Sequence, residues 1–167
     1  MAGSSDFEAL LTELARAEVE FIVIGGVGAV LHGVPIGTFD LDIVHSRGAE
    51  SRRRLVRVLA ALEACYREHL PERFVPTEHD LASPLHHLLT TRLGKLDLLG
   101  TAHTGLDYEE LLPRTTLVAL ATGVQVRVMD LRGLIEMKEQ AGRDKDKLHL
   151  ILLRRVYEGR KKPGNGA

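Results

Sequence analysis

Apolar residues recur along this chain in two alternating rhythms. Phe7, Leu10, Leu11 and Leu14 fall at helical spacing, and Ser4 or Ser5 can cap a helix over residues 6–18. Val19 and Phe21 to Ile24 then form a mostly β-branched or aromatic run closed by a glycine pair, the signature of a strand buried on both faces. A short helix follows from Gly25, stopped by Gly33 and Pro35. Residues 38–45 alternate polar and apolar, which predicts a second strand with Phe39, Leu41 and Ile43 turned into the core. Residues 50–70 read as one long amphipathic helix ended by Pro71, with Cys65 on or beside its apolar face.

Beyond an irregular stretch over 72–84, residues 86–100 read as two short strands around a turn at Gly94. Residues 107–114 form a helical turn, and 115–130 a hairpin with Thr122 and Gly123 at its tip. Asp130 caps a helix over 131–143, and a last helix runs roughly from 145 to 156. Interleaved helices and strands give an α/β (α+β) class: one mixed β-sheet flanked by helices, with helices at the C-terminal end. The expected organisation is a single domain over residues 1–158 and a disordered basic tail over 159–167.

A chain of 167 residues can bury roughly two thirds of its unfolded surface, so it needs no metal or disulfide to fold. Its single cysteine excludes an intramolecular disulfide and a Cys-rich zinc site. With 22 Lys plus Arg against 23 Asp plus Glu, it is not a globally basic nucleic-acid coat protein. No stretch approaches the ~20 apolar residues of a membrane span, and the N-terminus lacks a basic region followed by an apolar run. The expectation is a cytoplasmic protein without a membrane partner.

The chemistry is concentrated around the second strand. Asp40 and Asp42 share one face of it, about 7 Å apart, and repel each other unless a cation sits between them. Such hard oxygen ligands suit Mg²⁺ (or Mn²⁺) held together with substrate phosphates. Taken alone, the alternation fits the solvent face of an edge strand better, because such alternation is common. Gly25 and Gly26 alter that balance, because a glycine turn entering a helix lets phosphate approach free backbone N–H groups. Asp97, between Leu96 and Leu98 on a later strand, is costly to bury unless it faces a site; its bland alternative is an edge position paired with Lys95 or Arg92. Lys138 can act as a point charge on a triphosphate or lie on a solvated helix face. Thr38 holds the loop before the acids, in the manner of an ST-turn or closer to the nucleotide. Arg143, Lys145 and Asp146 read as an ion-paired turn between helices, His32 as a helix cap, and His86 and His87 as neighbours facing opposite ways.

A Gly-Gly turn, a short helix, an acid-x-acid strand and a third acid on a later strand together resemble the nucleotidyltransferase superfamily, the polymerase-beta-like fold. The resemblance runs roughly over residues 19–153 and is similar to small bacterial members, among them the toxins of type IV toxin–antitoxin systems. It implies an enzyme that moves a nucleoside monophosphate from an NTP to a hydroxyl on RNA, protein or a small molecule. Asp40, Asp42 and Asp97 would be catalytic and metal-holding. Gly25, Gly26, Thr38 and Lys138 would contact the nucleotide, and a cognate antitoxin would be a partner. Two positions depart from the pattern. Gly26 and Val27 stand where many members carry a serine, and Ile36 where many small members carry an arginine. They motivate the alternative, a non-catalytic nucleotide- or RNA-binding module on the same fold. A metal-dependent phosphohydrolase shares the acids but lacks a histidine-rich ligand set.

Overall fold

The computed structural model describes residues 4–162. Among them the chain runs α1 (Phe7–Arg16), β1 (Phe21–Ile24), α2 (Gly25–Leu31), β2 (Asp40–His45), α3 (Ala49–Ala61), β3 (Cys65–Tyr66), β4 (His86–Thr91) and β5 (Gly94–Leu99). It continues through α4 (Tyr108–Leu111), β6 (Thr115–Ala119), β7 (Gln125–Met129), α5 (Leu131–Ala141) and α6 (Lys147–Lys161). No helix of the described residues is long and apolar enough to cross a membrane.

The seven strands form one mixed sheet in the order β3-β4-β5-β2-β1-β7-β6. β1 pairs antiparallel with β2 and parallel with β7, and β2 pairs parallel with β5. Strand alternation divides the core. Val23, Leu41, Ile43, Leu89, Leu96 and Leu98 meet Leu10, Leu11 and Leu14 of α1 and Leu55, Val58 and Leu59 of α3. On the opposite face Ile22, Ile24, Val44 and Leu99 meet Ala29 of α2, Leu134 and Ile135 of α5 and Leu153 of α6. Burying each such side chain contributes about 1.5–3 kcal/mol. The architecture is the mixed sheet flanked by helices that the periodicity predicts.

Several local expectations need correction. The predicted helix over 50–70 stops at Ala61, and Cys65 lies buried in the short edge strand β3. Its stop is a left-handed residue, Glu63 (φ 54°), with the Ala64 N–H donating to the Leu59 carbonyl at 3.0 Å. That closing bond usually recruits glycine at the left-handed position, so a glutamate there leaves no sequence signal. α1 ends the same way at Glu18 (φ 59°), with Val19 N–H bonded to the Leu14 carbonyl. Asp6, rather than Ser4 or Ser5, caps α1 by accepting from Ala9 N–H at 2.9 Å. Phe39 is 83% exposed, because β2 begins only at Asp40 and strand alternation does not reach it. α6 runs past residue 156 to Lys161, so residues 159–161 of the expected tail are helical. Arg160 holds this end down by donating to the His32 carbonyl. Residues 163–167 lie outside the described part.

Gly100 ends β5 against the loop that leads into β4. A Cβ there would lie 2.3 Å from the Ser83 carbonyl oxygen and 2.8 Å from Pro84 Cα, both backbone atoms. Gly100→Ala is expected to cost about 1–3 kcal/mol, read as a lower urea midpoint with unchanged m-value. Gly37→Ala, where nothing lies within 4 Å of the added methyl, serves as the control and leaves the midpoint in place.

Candidate active site

The parallel register of β2 and β5 sets Asp42 beside Asp97 and Asp40 beside Lys95. Neighbouring strands lie about 4.8 Å apart, so Asp42 and Asp97 project side by side from the same sheet face. Asp40, Asp42 and Asp97 line one cavity of about 410 Å³, together with Gly25, Gly26 and Lys138. The cavity is closed on the β4 side by His86 and Leu88, and on the helical side by Leu134, Met137, Leu153 and the basic pair Arg143 and Lys145.

The glycine pair owes its identity to two neighbours. Ile24 pairs with Asp42, which presses the start of α2 against that carboxylate. Gly25 has φ +65°, and a Cβ on it would fall 2.3 Å from Asp42 Oδ2. A Cβ on Gly26 would fall 2.6 Å from Thr38 Oγ1. Thr38 donates its hydroxyl to the Asp40 carbonyl at 3.2 Å, which ties down the loop entering β2 by a bond opposite in sense to that of an ST-turn. It packs behind Gly26 and is not among the cavity-lining residues. Ile24, at the cap position of α2, supplies no side-chain hydrogen bond. The helix start at Gly25 and Gly26 therefore meets the cavity without a protein cap. Ile36 is partly buried and packs against the apolar cluster that includes Ala29 of α2.

Burial and like charge act together on the acidic wall. Burial first, and then the neighbouring Asp97 and Asp40 charges, push the Asp42 carboxyl up to about 7, while Lys138 acts in the opposite sense. Asp97 is paired with neither Lys95 nor Arg92. Arg67, from the turn after β3, donates Nη1 to Asp97 Oδ1 at 2.6 Å and to the Leu89 carbonyl at 3.1 Å. On the other wall Lys138 Nζ lies 2.9 Å from Asp146 Oδ1, and Arg143 Nε 2.7 Å from Asp146 Oδ2. Asp146 is buried, yet these two cations outweigh its burial and hold its carboxyl below the usual range. Of the expected ion-paired turn between α5 and α6, the Arg143–Asp146 pair is present, and Lys138 rather than Lys145 supplies the second cation.

Arg67 and the His86–His103 pair are site features that the sequence did not disclose. His103, on the loop after β5, packs edge-on against His86 with ring centroids 4.9 Å apart. His86 lines the cavity, whereas His87 faces the opposite side of the sheet and is buried against the Tyr66 hydroxyl. His32 caps α2, with Nε2 2.8 Å from the Met129 carbonyl oxygen. Among the described residues, no three Asp, Glu, His or Cys side chains form a complete cage for one ion. The donor chemistry of Asp40 and Asp42 fits Mg²⁺ or Mn²⁺ bound through two carboxylates, with water and phosphate completing the shell.

A carboxyl whose pKa rises on folding binds its proton more tightly in the folded chain. Its contribution favours the fold at low pH and is withdrawn as pH climbs from 3.8 towards 7. In metal-free buffer, wild type is expected to lose stability relative to Asp42→Asn across that window, with a limiting slope of about 1.4 kcal/mol per pH unit. Chemical denaturation of both proteins between pH 4.5 and 8 with a chelator present measures the difference. The subtraction removes His45, which burial pushes down to about 4 and which titrates in both.

No protein-family model matches the chain, and no curated protein matches its sequence significantly. Solved structures do match. TM1012 of Thermotoga maritima, described provisionally as a nucleotidyltransferase, aligns at 20% identity and TM-score 0.55 over 93% of each chain. The lincosamide antibiotic adenylyltransferase LnuA, solved with lincomycin, aligns at 12% identity and TM-score 0.63 over 91% of this chain and 98% of its own. ANT(2")-Ia in complex with adenylyl-2"-tobramycin aligns at 15% identity and TM-score 0.58 over 92% and 88%. At these identities the likeness is one of architecture, and it agrees with the resemblance carried by the Gly-Gly and acid-x-acid segments: this chain is built on the nucleotidyltransferase fold.

Proposed function

We propose that this protein transfers a nucleoside monophosphate from an NTP to a hydroxyl of a small acceptor molecule and releases pyrophosphate. One observation carries the reading: three carboxylates line one cavity beside an uncapped helix start, together with Lys138. Asp40 and Asp42 would hold Mg²⁺ against the triphosphate. When bound, that ion neutralises phosphate charge and favours in-line geometry at the α-phosphorus. The backbone N–H groups at Gly25 and Gly26 receive phosphate oxygens, and Lys138 adds a charge that Asp146 keeps in position. The acceptor oxygen bonds to the α-phosphorus as the bond to the bridging oxygen of pyrophosphate breaks. The hydroxyl proton passes to Asp97.

A cavity of about 410 Å³ is of small-molecule size. LnuA and ANT(2")-Ia are named as antibiotic adenylyltransferase and resistance factor. Adenylate and hydroxylated small molecules are therefore the first donor and acceptor classes to test. A toxin role with a cognate antitoxin would go with an RNA or protein acceptor instead. The non-catalytic nucleotide-binding module keeps one observation in its favour, the ion pair that already engages Asp97.

Transfer of label from each α-³²P NTP, with Mg²⁺ and pooled acceptors, tests the reading. Wild type is expected to label an acceptor. Asp97→Asn is expected to lower kcat by about 10²–10⁴-fold with little change in the KM for NTP. Silence of the wild type with all four NTPs and small-molecule, RNA and protein acceptors would leave the binding module. Independently, the double variant Asp40→Asn with Asp42→Asn is expected to lose Mg²⁺-dependent nucleotide binding in calorimetry while it still folds and unfolds cooperatively. Unchanged Mg²⁺-dependent affinity would remove these two residues from the site.

A further inference from the structure

We propose that Arg67 takes the place of a second metal ion, so that the site works with one divalent cation, held by Asp40 and Asp42, and one fixed guanidinium, held on Asp97. The inference rests on the nucleotidyl-transfer reading above. Phosphoryl-transfer sites of the two-metal kind use a pair of ions about 3.5–4 Å apart to stabilise both the attacking and the leaving oxygen. In this chain Asp97 is the acid that such an ion would need, and one of its oxygens is already taken at 2.6 Å by Arg67 Nη1.

The guanidinium is seated by the sheet itself. Its Nη1 also donates to the Leu89 carbonyl, on the strand beside that of Asp97. The turn that carries Arg67 follows directly from β3, whose Tyr66 pairs with Leu89 and whose hydroxyl meets His87 Nδ1 at 2.8 Å. Both partners are shielded, with side-chain exposures of 21% for Arg67 and 14% for Asp97. An arginine in a protein keeps its charge at every working pH, so the seat is permanently positive. A divalent ion between Asp97 and Asp42 would lie within a few ångströms of that charge and be repelled by it. Asp40 and Asp42 remain free for the ion that travels with the nucleotide. Arg67 is a positioning residue: it orients Asp97 and supplies positive charge on the acceptor side.

The test counts metal. The full chain is dialysed to equilibrium with Mn²⁺ and the α,β-methylene analogue of each NTP, which cannot release pyrophosphate. Bound Mn²⁺ is then divided by bound nucleotide. Wild type is expected to hold one Mn²⁺ per nucleotide, Arg67→Ala two, and Arg67→Lys one again. Two ions in wild type would overturn the proposal and leave nucleotidyl transfer intact. One ion in an Arg67→Ala protein of native melting temperature would likewise overturn it. Arg67→Gln, which retains a donor for the Leu89 carbonyl, is also expected to bind two and carries the comparison if the alanine variant does not fold. Failure of every analogue to bind in a Mn²⁺-dependent way would instead sink the nucleotidyl-transfer reading, and this inference with it.

Discussion

Mutual repulsion between carboxylates is the constraint around which this molecule is arranged. Two like charges about 5 Å apart near a protein surface oppose each other by about 3 kcal/mol at an effective dielectric of about 20, and Asp40 adds a third. They stay together because their backbones have no freedom to part. Asp40–Val44 is laddered in parallel to Lys95–Leu99, and the alternate residues Leu41, Ile43, Leu96 and Leu98 are fully buried on the far face. The apolar half of each strand thus anchors the acidic half. What the ladder cannot offset is balanced locally by Arg67 on one side, by Lys138 at longer range on the other, and by a proton that Asp42 retains up to about pH 7.

The parts legible in the sequence are those governed by local rules. Period-two alternation identified β2 and the face shared by Asp40 and Asp42, and glycine identified the start of α2 and the turns at Gly94 and Gly123. Asp130 announced α5 correctly by capping it. The failures share a cause as well. α3 was expected to be too long because its stop is a left-handed glutamate, and the lost β3 took Arg67 with it into a supposed helix. An arginine on a helix surface has no reason to meet an aspartate thirty residues away. Once β3 pairs with β4, the contact becomes short range in space.

The same distinction separates Gly25 from Gly26. Both read as one phosphate-binding pair, yet they answer to different atoms: Gly25 to the Asp42 carboxylate, Gly26 to the Thr38 hydroxyl. A pattern can announce that a side chain is excluded; only the fold says what excludes it. Lys138 makes the complementary point. Its position on α5 follows from helical spacing, but the buried Asp146 that holds its ammonium belongs to the turn before α6.

The cavity draws its walls from residues as far apart in the chain as Ile24 and Leu153. During synthesis the ribosome delivers them in that order. The acidic platform of β2 and β5 leaves the exit tunnel well before the cationic wall of Arg143 and Lys145 and the apolar contact of Leu153. Until α6 docks, and Arg160 reaches back to His32, a nascent chain carries an acidic surface open to solvent. The pocket is therefore complete only once α6 is docked, through the same contact of Arg160 with the His32 carbonyl that secures that helix.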